Sequence, residues 1–125
     1  MGSVRFLKYR SAIFFLACFF AAVLSGSTVF AHRVIIFAWI EGDTVHTLSK
    51  FPGGRKVSNG AVTVYDGRDN PLLEGKTNEA GEFSFSVPKI SPLKIVLSAG
   101  PGHQGEWRLA EAEIRAAVGA DDGQR

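Results

Sequence analysis

Cysteine is almost absent from this 125-residue chain. The one residue, Cys18, sits in an N-terminal apolar segment. The remainder can form no disulfide, so any stability outside a reducing compartment has to come from packing or a bound ion. No apolar stretch reaches the roughly 20 residues that a membrane-spanning helix needs. The longest, Ala12–Leu24, has 13. There is no dense cluster of basic residues, which removes the footprint of a nucleic-acid-binding protein. No serine, cysteine or threonine stands in a recognisable arrangement with a base and an orienting acid, and no glycine-rich loop suits a phosphate. The reading is therefore of a non-enzymatic chain.

What is present begins with the N-terminus. Arg5, Lys8 and Arg10 precede the apolar run, and Val29-Phe30-Ala31 offers tolerated residues at a cleavage site. This order is that of a secretory signal peptide over residues 1–31; an uncleaved anchor is the alternative. Cleavage after Ala31 would leave 94 residues with eleven Lys and Arg against twelve Asp and Glu, a net charge of −1. That length suits one domain, and the expected location is extracytoplasmic, periplasmic or secreted.

Short apolar segments separated by turn signals fill residues 32–109. Strands are expected over Arg33–Glu41, Thr44–Phe51, Ala61–Tyr65, Leu72–Lys76, Glu82–Val87, Leu93–Ser98 and Gln104–Leu109. Gly42-Asp43, Asp69-Asn70-Pro71 and Gly100-Pro101-Gly102 turn the chain between them. Phe83, Phe85 and Val87 alternate with Glu82, Ser84 and Ser86, and Leu93, Ile95 and Leu97 share one face. Phe83, Phe85, Ile95 and Leu97 should be buried, and Trp39 and Trp107 are assigned to the core. The expected fold class is all-β, an antiparallel β-sandwich of about seven strands. Ala110–Val118 reads as a short helix that stops before Gly119, and Ala120–Arg125 as a disordered tail.

Three histidines carry the candidate chemistry. Cleavage after Ala31 would make His32 the mature N-terminus, with an α-amine beside an imidazole to chelate a borderline metal. The bland alternative is a solvated histidine that merely follows a cleavage site. His103 follows the Gly100-Pro101-Gly102 turn. If successive strands alternate in direction, strands one and seven start at the same end, which brings His32 and His103 together. His46 lies opposite Trp39 across the Gly42-Asp43 turn, on the order of 20 Å from His32 at ~3.3 Å per residue. It is assigned to a strand face and is a weaker candidate. Glu106 is a further weak candidate, as an oxygen ligand, an orienting group or a solvated carboxylate.

Asn59-Gly60-Ala61-Val62-Thr63-Val64-Tyr65-Asp66, Leu73-Glu74-Gly75-Lys76-Thr77 and Gly81-Glu82-Phe83-Ser84-Phe85 resemble the carboxypeptidase regulatory-like, prealbumin-type sandwich, a non-catalytic module. A narrower resemblance rests on Ala31-His32-Arg33-Val34, Phe37 to His46, Phe51-Pro52-Gly53-Gly54-Arg55-Lys56-Val57, Leu93 to Gly100 and Gly102 to Trp107, with Pro101 and the C-terminal helix and tail departing from the pattern. These segments resemble the small extracytoplasmic component of nickel and cobalt energy-coupling-factor transporters. The resemblance implies a nickel or cobalt ion and membrane-embedded transporter subunits as partners. Residue types alone also admit copper, which binds the same ligands more tightly. The familiar amino-terminal copper and nickel motif needs histidine in third position, where this chain would have Val34. A metal-free interaction module is the third reading.

Overall fold

The computed structural model describes residues 12–19 and 33–123. Residues 12–19 are helical with exposed side chains. The expected cleavage site and His32 lie outside the described residues.

Seven strands follow: β1 (Ile35–Glu41), β2 (Thr44–Lys50), β3 (Ala61–Tyr65), β4 (Pro71–Lys76), β5 (Glu82–Ser86), β6 (Leu93–Ser98) and β7 (Gln104–Leu109). They form two antiparallel sheets, one ordered β1-β2-β5 and the other β4-β3-β6-β7. The expected bounds of β3, β6 and β7 are those observed, and each of the other strands differs at one end by one or two residues. Gly42, at φ +60°, lets the first hairpin close in a two-residue turn, which fixes Phe37 opposite Leu48 and Trp39 opposite His46.

The inner faces meet over Val34, Ile36, Ala38 and Val45 from one sheet and Val62, Val64, Ile95 and Leu97 from the other. Ile95, Leu97 and Phe85 are buried as expected, while Phe83 is half-buried. The Phe83 ring lies so close over Gly75 that a Cβ there would come within 2.3 Å of Cε2. The sheets therefore touch where a strand offers no side chain.

Two further expectations are corrected. Trp39 is not in the core; it is 37% exposed, on the outer face of β1 with Ile35 and Phe37. Strand β1 is apolar on both faces, and its smaller residues, Ala38 among them, are the ones turned inward. Trp107 is half-buried and packs against the core, meeting the Phe37 ring edge-on at 5.3 Å.

The second correction concerns the C-terminus. The helix runs over Glu111–Asp122, past Gly119 and into the stretch expected to be disordered. Glycine costs a helix about 1 kcal/mol, but packing opposes that cost here. Ile114 is fully buried, Val118 lies against the core, and the Asp121 carboxylate sits over the Gly42 turn. The Glu113 carboxylate accepts the Ala110 N–H at 2.8 Å at the start, and Arg115 bonds Glu111 at 2.6 Å one turn on. The helix follows β7 directly and reaches the β1–β2 turn, so it covers one end of the sandwich.

Candidate functional site

The end away from the helix is set by a close approach of two edge strands. The N–H of Val34 donates to the Gln104 carbonyl over 3.4 Å. Farther along, Phe37 meets Trp107, so β1 and β7 run side by side in the same direction. Gly105 makes this possible, since a Cβ there would lie 2.5 Å from the Val34 carbonyl oxygen. A trough of about 660 Å³ runs along this seam, lined by residues 33–36 and 104–107.

His103 is placed at the head of the seam by its hairpin. Its N–H donates to Gly100 and its carbonyl accepts from Ala99, at 3.0 and 2.8 Å. Gly100 and Gly102 have φ of +117° and +75°, a backbone that side chains rarely adopt. The His103 ring meets Phe51 edge-on at 5.9 Å, with its Nδ1 shielded from solvent. The Arg55 guanidinium lies over the same Phe51 ring, 4.2 Å from its centre.

His46 is elsewhere. It lies opposite Trp39, whereas the head of the seam is level with Ile35 and Lys50. Its Nδ1 is 2.9 Å from the Ser84 hydroxyl and its Nε2 is 3.6 Å from the Glu41 carboxylate, so both nitrogens already face polar partners. The ring stacks on Trp39 at 5.4 Å, and the Trp39 indole N–H donates to Glu41 at 3.2 Å. This matches the strand-face role expected of it. Glu106 lines the trough and shares the outward face of β7 with Gln104, and it accepts from Arg108 Nε at 2.7 Å. His32, the other half of the expected metal site, lies outside the described residues. Among the described residues, no three His, Cys, Asp or Glu side chains are grouped closely enough to hold a metal. No helix there is long and apolar enough to cross a membrane.

The sequence reading overlooked the surroundings of this end. Arg33, Lys50, Arg55, Lys56 and Lys76 gather around it, against Glu79 and Glu82, and none of the five makes an ion pair among the described residues. At the helix end, Lys89, Lys94, Arg108 and Arg115 are each paired with a carboxylate, and Arg68 is the exception. The signal was available as Arg55-Lys56 beside a glycine-rich turn, but only the strand register collects the others.

No family model matches the chain. An uncharacterized protein of Haemophilus influenzae is 28% identical over 110 residues, covering 86% of this chain and 68% of that protein. Among solved structures, a β-D-glucuronidase of Dictyoglomus thermophilum aligns with 62% of this chain at 11% identity and a TM-score of 0.36. The aligned part is 14% of that enzyme.

Proposed function

We propose that this protein is an exported, non-enzymatic accessory of nickel or cobalt uptake, which holds the ion for membrane-embedded transporter subunits. The reading begins with the signal-peptide pattern over residues 1–31 and the resemblance described above. The observation that carries it is the 3.4 Å bond from Val34 to Gln104. That bond sets the residue two after His32 beside the residue that follows His103. The common end inferred from alternating strands is thus supported by the register of the two edge strands.

Cleavage after Ala31 would give this end an α-amine and two imidazoles. These are borderline donors suited to Ni²⁺ or Co²⁺. A metal arriving from solvent would meet His103 through Nε2, because Nδ1 is shielded. Arg33, Lys50, Arg55, Lys56 and Lys76 gather around this end with no ion pair among the described residues, and they repel a cation. Binding is therefore modest, as suits a site that must hand its ion on.

Calorimetric titration of the exported protein with Ni²⁺, Co²⁺ and Cu²⁺ tests this reading. One divalent ion should bind per chain. His103→Ala should weaken binding at least tenfold, and one residue added before His32 should do the same by turning the amine into an amide. His46→Ala should change it little. Equal affinity in all three variants would reject the site.

A further inference from the structure

The outer face of the three-stranded sheet is unlike the exterior of an ordinary sandwich. Along β1 it shows Ile35, Phe37 and Trp39, which are 45%, 52% and 37% exposed. Phe37 bridges Trp39 at 5.7 Å and Trp107 at 5.3 Å, which makes a continuous aromatic strip. An antiparallel sheet with one solvated face ordinarily turns polar residues outward there. A strip of this kind on an exposed strand marks a surface that meets something.

The surroundings indicate what it meets. Lys50 lies directly opposite Ile35 in the ladder, Lys56 bridges to Lys50, and Arg33 and Arg55 are exposed at the same end. These cations have no acidic partner among the described residues. At the strip's other end Trp39 gives its indole N–H to Glu41 and stacks on His46, so its edge is polar and its body apolar. A strip with tryptophan at one end and unpaired Arg and Lys at the other has the chemistry of a membrane–water interface with anionic headgroups. The chain reaches β1 at this same end. Only eight residues separate Leu24, the last of the apolar run, from Arg33, a reach of at most about 32 Å. Export would therefore present the cationic end to the bilayer.

We propose that the Ile35–Phe37–Trp39 strip and its Arg33, Lys50, Arg55 and Lys56 rim form a binding surface for an anionic lipid bilayer. The sheet lies with β1 against the headgroups. This proposal does not depend on metal binding and stands or falls separately from it.

The test reads where Trp39 sits, and the neutral vesicles, which a retained N-terminal apolar segment would enter as well, are its control. The chain has two tryptophans, and Trp107→Phe leaves Trp39 as the sole indole. Full-length protein is mixed with vesicles of phosphatidylcholine alone or of phosphatidylcholine with phosphatidylglycerol, each carrying brominated acyl chains. Trp39 fluorescence should be quenched in the anionic vesicles and much less in the neutral ones, and about 0.5 M salt should reverse it. Each basic side chain near an anionic surface strengthens binding about fivefold. Changing Arg33, Lys50, Arg55 and Lys56 together to Gln should accordingly cost at least 100-fold in the lipid concentration needed. If Trp107→Phe does not fold, quenching is read with both indoles present, and Phe37→Ser must reduce it. An unquenched Trp39 overturns the proposal, whether or not the protein floats with the vesicles. So does burial of Trp39 by self-association or another protein without any effect of lipid.

Discussion

Thr77 shows how much rests on one buried hydroxyl. It is 4% exposed, donates to the Val57 carbonyl at 2.6 Å and accepts the Gly60 N–H at 2.8 Å. Thr77→Val keeps the shape and strands two backbone groups, which should cost about 2 kcal/mol, measured by urea denaturation. A loss below about 0.5 kcal/mol would mean that water replaces the hydroxyl. Asp66 plays a similar part in the β3–β4 turn. Its carboxylate accepts the backbone N–H groups of Asn70 and Arg68, the Asn70 side-chain amide and the Lys89 ammonium. These bonds, led by the backbone of Asn70, hold its pKa well below the usual carboxylate range against the opposing effect of burial. A lowered folded-state pKa gives stability that is present above about pH 4 and lost as pH falls below it. Asp66→Asn should therefore lower Tm at pH 6 and show a smaller fall in Tm between pH 5 and pH 2. An unchanged slope would contradict this. Neither role was legible in the sequence, where Asp66 reads only as a turn residue and Thr77 as a polar residue between strands.

Among the elements, the strands with strict alternation were legible and β1 was not. In β6, Leu93, Ile95 and Leu97 point inward because period two leaves no other arrangement. In β1 every residue from Val34 to Ile40 is apolar, so periodicity cannot say which face is the core. The neighbouring strand decides instead. Val45, Thr47 and Ser49 of β2 are inside, so Phe37 and Trp39 must be outside. The C-terminal helix continues through Gly119, where intrinsic propensity would end it, because propensity ignores packing of the kind that Val118 and Asp121 make. The seam between β1 and β7 was legible only as a shared end. Gly105 is its key, and Gly105→Ala would force a Cβ to within 2.5 Å of the Val34 carbonyl. That variant should lose about 1–3 kcal/mol of stability. It should also weaken nickel binding although it touches no histidine. Calorimetry that finds full affinity in Gly105→Ala would show that the seam does not assemble the site.

At the scale of the molecule, the two ends of the sandwich differ in kind. One is covered by a helix and has most of its basic residues paired with carboxylates. The other gathers unpaired cations, a glycine-hinged histidine and the segment that leads back to His32. The antiparallel two-sheet architecture followed from turn spacing and the alternation of apolar and polar residues. The charge asymmetry did not, because it is assembled from four separate stretches of chain. It also makes a demand on the proposed function, since metal binding at a cationic end should tighten as salt screens the repulsion. The most direct measurement of the central claim is X-ray absorption of the nickel-loaded exported protein, with its N-terminal residue established by mass spectrometry. A chain that begins at His32 and a nickel shell containing two imidazoles, one of them lost in His103→Ala, is the predicted result. A different N-terminus, or a shell unchanged in His103→Ala, would contradict it.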